Sequence, residues 1–173
     1  MAGPRLISVV GKKNAGKTSL VVVLTKELVR RGKRVMTIKH GSHPFEIDQQ
    51  GRDTWRHMHE GGAERVVMET PGMRVLLAKP EEPMGPRELA DQFLADAEFV
   101  IVEGFKASNL PKIEVFRQAV HPEPLYDATA PDAASYLAIM TDARDYRAPI
   151  PTLRFSDTAW LYRLTDIVLL GAK

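Results

Sequence analysis

Residues 6–39 read LISVVGKKNAGKTSLVVVLTKELVRRGKRVMTIK, and this stretch decides the fold. Leu6–Val10 is a short continuous apolar run, the pattern of a strand buried on both faces. Leu20, Val21, Leu24 and Leu28 then fall at helical spacing, with Lys26, Arg30 and Arg31 among them. The spacing predicts a helix over Lys17–Arg31, and Gly32 is a natural C-terminal stop. Arg34–Lys39 (RVMTIK) reads as a second strand. Strand, helix and strand in so short a span make a βαβ unit, which crosses over right-handed into a parallel pair.

Between the first strand and the helix lies Gly11-Lys12-Lys13-Asn14-Ala15-Gly16-Lys17-Thr18, a match to G-x-x-x-x-G-K-[ST]. Each position has a physical task. Gly11 and Gly16 permit a tight backbone path, so that successive N–H groups of Lys12, Lys13, Asn14 and Ala15 wrap a phosphate. The helix that begins near Lys17 adds its unpaired N–H groups and its dipole, with Ser19 in the same first turn. Lys17 places a cation on the β- and γ-phosphates and is the expected catalytic cation. Thr18 offers a hydroxyl to Mg²⁺. A glycine turn with a solvated lysine would also match the pattern, but the strand before it and the helix after it supply the confirming context.

The rest of the chain continues the alternation. Gly51–Glu60 reads as a helix, Glu64–Glu69 and Arg74–Ala78 as a hairpin about Thr70-Pro71-Gly72, and Pro86–Ala95 as a helix. Phe99–Val102 and Tyr136–Met140 are buried strands. Ile113–Arg117 reads as an edge strand, residues 118–132 as a loop, Asp157–Leu164 as a short helix and Ile167–Leu170 as a last strand. The expected architecture is α/β: a P-loop nucleoside-triphosphatase fold with a mostly parallel sheet, helices on both faces and an antiparallel hairpin. At 173 residues, one domain over 1–173 is expected.

Composition removes whole classes of function. There is no cysteine, so disulfides, thiol nucleophiles and iron–sulfur clusters are excluded. A net charge of +2 is no electrostatic footprint for nucleic acid. No stretch approaches the about 18 apolar residues of a membrane span, and the apolar run near the start is too short for a signal peptide. A cytoplasmic location is expected.

Other residues are candidates for the site. Glu103 ends the run Phe99–Val102 and precedes Gly104, where such a fold wants a carboxylate to hold Mg²⁺; an ordinary strand-end carboxylate is the alternative. Asp48 and Asp53 follow the second strand, where a segment can approach the γ-phosphate. Asp48 is expected in the metal shell and Asp53 as the residue that orients water, with a polar loop and a helix cap as the competing explanation. Asp142 follows the strand ending at Met140. A carboxylate there accepts both donors of a guanine edge, although the Asn-Lys-x-Asp signature of guanine readers is missing. His40, His43, His57 and His59 invite a zinc reading, but His57 and His59 point to different helix faces and no cysteine assists them; solvated or phosphate-side histidines are expected instead. No arginine finger or glutamine is evident from spacing, so slow hydrolysis is expected.

The chain resembles the molybdopterin-guanine dinucleotide biosynthesis protein B family. The resemblance rests on VVGKKNAGKTSL (9–20), TIKHGSHPFEIDQQGRDTW (37–55), EGGAERVV (60–67), FVIVEGFK (99–106) and PKIEVFR (111–117), in that order. It implies a homodimeric GTP-binding protein with weak GTPase activity, using GTP and Mg²⁺. It implies a helper role in attaching GMP to molybdopterin, beside the molybdopterin guanylyltransferase that makes the dinucleotide. Residue by residue it places phosphate binding on Gly11–Ser19 and the acidic role on Glu103, and it brings Asp48 and Asp53 into the active-site loop. Lys106 and Lys112 are the suspects for holding molybdopterin or its guanine dinucleotide. Two other readings use the same loop. One is a small-molecule kinase, with Arg52, Arg56 and Arg65 available for a lid. The other is a non-catalytic module that presents a nucleotide or pterin to a partner enzyme.

Overall fold

The computed structural model describes residues 3–41, 48–80 and 82–172. They form β1 (Arg5–Val10), α1 (Lys17–Arg30), β2 (Val35–Lys39), α2 (Asp53–His59), β3 (Arg65–Thr70), β4 (Met73–Ala78) and α3 (Pro86–Phe93). There follow β5 (Phe99–Glu103), β6 (Lys112–Phe116), a 3₁₀ turn (Ala133–Ser135), β7 (Tyr136–Thr141), β8 (Thr152–Arg154) and α4 (Trp160–Gly171). The chain divides into two compact units, one of residues 1–40 with 85–173 and one of residues 41–84.

The larger unit holds a six-stranded sheet in the order β2-β5-β1-β6-β7-β8, and every neighbouring pair is parallel. Sheets of this kind are covered on both faces, which is why their strands read as unbroken apolar runs. On one face Ile7, Val9, Ile101, Ile113 and Met140 pack with Leu20, Leu24 and Leu28 of α1 and Leu164 and Val168 of α4. On the other face Leu6, Val100 and Val102 pack with Ala90 and the partly buried Leu94 at the end of α3. Alternation along each strand sends successive residues to opposite faces. The helix ends are tied to the sheet and to one another. Arg5 donates to the carbonyls of Leu169 (2.5 Å) and Ala172 (3.2 Å), meeting the orphan acceptors at the end of α4. Arg31 pairs with Asp166 (2.5 Å) and Glu27 (2.8 Å), joining α1 to α4.

Two expectations are corrected here. Ile113–Arg117 is not an edge strand. Its counterpart β6 lies between β1 and β7, and all five of its residues are buried. The alternation Lys-Ile-Glu-Val-Phe looked half-exposed because Lys112 and Glu114 are charged, yet they are only 1% exposed. A loop rather than a helix covers that part of the face, and loops bring unpaired backbone groups with them. Glu114 accepts the N–H groups of Leu125 (2.5 Å) and Tyr126 (2.8 Å), and Lys112 donates to Asp132 (2.9 Å) and Ser135 Oγ (3.1 Å). Ile167–Leu170 is likewise not a strand but the last turns of α4. A four-residue apolar run carries no period of its own, and Leu164, Thr165 and Val168 are the buried helical set. The strand β8 was hidden because Thr152–Arg154 is only three residues long.

The smaller unit carries the hairpin β3–β4, antiparallel as expected, with Val66 opposite Leu77 and Met68 opposite Val75. Helix α2 packs in the same unit and buries Met58.

Leu24 is fully buried between α1 and the sheet. Leu24→Ala is expected to lower the unfolding free energy by about 2–5 kcal/mol, read from urea unfolding followed by circular dichroism.

Candidate functional site

Because the strands of the six-stranded sheet run parallel, their carboxyl ends share one edge. In open α/β sheets ligands bind outside that edge, where the connections depart to opposite sides. Here the chain leaves β1 for α1 and β2 on one side, while β6 follows β5 on the other.

The loop 11–16 begins where β1 ends. Gly11 has φ +152°, and a Cβ there would sit 2.5 Å from the Val115 carbonyl oxygen. No side chain fits so close to a backbone atom, so only glycine lets the loop leave between β1 and β6. Asn14 (φ 62°) and Gly16 (φ 96°) turn the chain through left-handed backbone. Ala15 is buried beneath the loop and Ser19 is exposed in the first helical turn. Gly16 is the N-cap of α1, with no side-chain cap and no acidic residue in the first turn. The first N–H groups of the helix and its positive dipole end therefore face the sheet edge.

Lys17 reaches back across the loop. Its ammonium donates to the carbonyls of Gly11 (3.0 Å) and Lys12 (2.9 Å), which leaves one of its three donors for an anion. Desolvation by burial holds its pKa below the usual 10.5; Glu103 acts in the opposite direction, and Lys39 lowers it further. Thr18 Oγ1 lies 2.9 and 3.0 Å from the two oxygens of Glu103. Glu103 also pairs with Lys39 at 3.3 Å and is 12% exposed. The backbone beyond it is fixed by Ser8, whose buried hydroxyl donates to the Gly104 carbonyl (2.5 Å). A hydroxyl and a carboxylate side by side, next to a lysine on a glycine-walled loop, are hard oxygen donors of the kind Mg²⁺ takes beside phosphates. The residues fit a magnesium nucleotide in their chemistry and their placement.

Asp142 is on the same edge, at the end of β7, but its carboxylate accepts the Gln118 N–H at 2.8 Å and lies 4.0 Å from Arg117. Asp48 and Asp53 belong to the smaller unit. Asp48 accepts the Thr54 hydroxyl at 2.9 Å, and Asp53 is the first residue of α2, where a carboxylate suits the helix dipole. His40 packs on Phe105 with ring centroids 4.3 Å apart, and His59 stacks on Trp55 at 4.5 Å. His43 lies outside the described residues. Among the described residues no group of three His, Asp or Glu is arranged to hold a metal ion. Lys106 is exposed, but the structure removes Lys112 as a pterin contact, since its ammonium is buried against Asp132 and Ser135. Two residues escaped the sequence reading. His121 donates to the Lys13 carbonyl at 2.7 Å, and the Arg117 guanidinium lies beside Gly16. Their signal was positional only: Arg117 directly follows the strand next to the loop.

Comparison with known proteins adds an independent line. The family of molybdopterin guanine dinucleotide synthesis protein B matches residues 6–142. The chain belongs to this family. It is 37% identical over 116 residues to the molybdopterin-guanine dinucleotide biosynthesis adapter protein of Haemophilus influenzae, covering 65% of this chain and 64% of that relative. It is 31% identical over 133 residues to the adapter protein of the same name from Escherichia coli, covering 72% and 74%. The chain thus spans just under two thirds of the length of the first relative. Among solved structures, MobB of Bacillus subtilis superposes with a TM-score of 0.68 at 20% identity, covering 98% of each chain. A MobB homologue from Bacillus stearothermophilus gives 0.65 at 22% identity, covering 95% of this chain and 97% of that one. These likenesses show the fold: a parallel six-stranded sheet with helices and a separate small antiparallel sheet. No helix among the described residues is long and apolar enough to cross a membrane.

Gly11 and Gly32 both hold positive φ, but a Cβ on Gly32 would meet nothing within 4 Å. Gly32→Ala is expected to cost about 1–2 kcal/mol of backbone strain. Gly11→Ala adds overpacking of about 1–3 kcal/mol to that strain. Denaturant unfolding of the two variants side by side checks the order.

Proposed function

We propose that this chain binds GTP with Mg²⁺ on Gly11–Ser19, hydrolyses it slowly, and acts as an adapter in the attachment of GMP to molybdopterin. The observation that carries the reading is the Thr18–Glu103 pair beside Lys17 at the mouth of the loop, in a chain of this family. In this reading the N–H groups of Lys12 to Ser19 bind the phosphates. Lys17 stabilises charge on the transferring group. Thr18 and Glu103 would hold Mg²⁺, which would neutralise charge between the outer phosphates. Asp142 would select guanine, and for that its carboxylate would have to release the Gln118 N–H. Asp48 and Asp53 enter through the family resemblance, as metal-shell and water-orienting residues. The natural partners are the guanylyltransferase of the pathway, molybdopterin or its dinucleotide, and a second copy of the chain as a homodimer in the cytoplasm. The names of the Haemophilus influenzae and Escherichia coli relatives support the adapter role.

Titration with fluorescent GDP and ADP analogues, with and without Mg²⁺, tests this. Guanine-selective binding is expected, lost in Lys17→Ala. The Mg²⁺-dependent part of the affinity is expected to vanish in Thr18→Ala and Glu103→Gln. Equal or adenine-favoured binding overturns the GTP reading and brings the kinase reading forward.

The same site predicts a pH profile. Lys17 binds an anion when protonated, and its pKa lies below 10.5 in the free protein. Pyrophosphate affinity is therefore expected to decline as pH rises through that lowered pKa. The decline is expected to flatten in Lys17→Arg, whose guanidinium keeps its charge throughout; calorimetric titrations from about pH 7 to about pH 10 check it, since both proteins share the ionisations of pyrophosphate, the α-amino group and the tyrosines.

A further inference from the structure

We propose that Arg117 is a nucleotide contact, pairing through its guanidinium fork with a phosphate oxygen held at the N-terminus of α1. The proposal rests on the nucleotide-binding reading and adds a second in-chain cation to the phosphates.

The argument starts from placement. Arg117 is the residue after β6, so it emerges on the same edge as the loop, next to the strand that flanks β1. Its polar atoms face the loop. Outside the two adjoining residues, the nearest atoms to the Cβ position of Gly16 are Arg117 Nη2 at 3.8 Å and Nε at 3.9 Å. Gly16 is the N-cap of α1, so the fork stands over the turn whose N–H groups are free to take an anion. Because residue 16 has no side chain, nothing of its own separates the fork from that turn.

Orientation is fixed without consuming the donors. The guanidinium carbon lies 4.7 Å from the centre of the Phe155 ring. A cation–π contact of this kind engages no hydrogen-bond acceptor, so it uses none of the five N–H donors. Phe155 is itself braced edge-on by Trp160 at 5.7 Å. The carboxylate nearby, Asp142, lies at 4.0 Å, beyond hydrogen-bond length, and its other oxygen is occupied by the Gln118 N–H. The Arg117 side chain is 41% exposed. Arg117 and Asp142 are thus an ion pair without a hydrogen bond, which leaves the N–H donors of the fork open to an incoming oxyanion. A half-exposed fork braced over an aromatic ring, beside a helix start without a side-chain cap, is arranged for bidentate capture of phosphate, which a lysine at this position cannot reproduce.

The test uses calorimetric titration of the full chain with GDP and with inorganic pyrophosphate, a probe that has no base. Lys17→Ala, Arg117→Ala and Arg117→Lys are compared with the natural protein, and thermal unfolding is followed for each. Arg117→Ala is expected to weaken both ligands by about 10- to 100-fold, the size of a charge-assisted hydrogen bond, at a nearly unchanged melting temperature. Arg117→Lys is expected to recover only part of the affinity, and it keeps the test open should the alanine variant fold poorly. Unchanged affinity in both Arg117 variants, with binding lost in Lys17→Ala, overturns the proposal and leaves the nucleotide reading standing. Weakened GDP with unchanged pyrophosphate also overturns it, because Arg117 then acts at the base or ribose. A natural protein that binds neither probe, or binds them regardless of Lys17, overturns the nucleotide reading and the Arg117 contact with it.

Discussion

The close approach of Gly11 to the Val115 carbonyl sets the geometry of the sheet edge. β1 is hydrogen-bonded on both sides, to β5 and to β6, so its continuation has no lateral freedom. The chain must climb out between two neighbours, and a Cβ at residue 11 would lie 2.5 Å from a backbone oxygen. Glycine at that point lets the loop fold over its own strand end. Left-handed backbone at Asn14 and Gly16 then brings the start of α1 over the edge. Everything chemical follows from that position. Lys17 is near enough to cross to the Gly11 and Lys12 carbonyls, and Thr18 is turned to Glu103 at the end of β5.

A second constraint comes from the covering of the sheet. One face is closed by α1 and α4, which carry no unpaired backbone in their middle turns. The opposite face is closed under β6 and β7 by the two loops that follow Phe116 and Thr141, with Phe116 and Ile139 packed against Tyr126 of the first and Tyr146 and Ile150 of the second. Burial pushes the Glu114 carboxyl above the usual carboxylate range, while the N–H groups of Leu125 and Tyr126 and the charge of Lys12 oppose that push. A buried acid is costly alone, and here it satisfies two loop donors that would otherwise be orphaned. The loop fixed in this way carries His121 to the Lys13 carbonyl. Polar residues under β6 and the posture of the phosphate loop are thus parts of one arrangement.

This explains what was legible in the sequence and what was not. The βαβ unit could be read because Leu6–Val10 and the Leu20–Leu28 set obey two different periods, and the glycine-lysine pattern between them has a narrow physical meaning. The hairpin was legible from Thr70-Pro71-Gly72 and agrees with the observed pairing. The pairing of Thr18 with Glu103 was foreseeable as a role but not as a contact, since 85 residues separate them. The centrality of β6 was hidden because charge in a strand ordinarily signals solvent, and the partners of Lys112 and Glu114 come from a loop without periodicity. Arg117 was hidden for a related reason: its neighbour Gly16 is a hundred residues away in the chain and has no side chain to suggest a contact.

The electrostatics of the edge are local, not global. The chain as a whole carries only +2, a poor attractor for polyanions. At the loop, however, the cations outweigh the anions that remain free. Glu103 is shared between Thr18 and Lys39, and Asp142 is engaged by the Gln118 N–H. Lys17 carries a desolvation penalty that Glu103 relieves only in part, as its lowered pKa records. A group held in that condition gains most from a multiply charged oxyanion, because the incoming charge favours the very form that burial opposes. The uncapped start of α1 has the same character: donors and a dipole oriented with no acid of its own to meet them. Burial of Lys17, exclusion of acidic side chains from the first helical turn and occupation of the two edge carboxylates all bias the edge in one direction. They leave the positive end of α1 and the Lys17 ammonium without an acidic partner in the first helical turn, and the tight turn at Gly11 holds them in place.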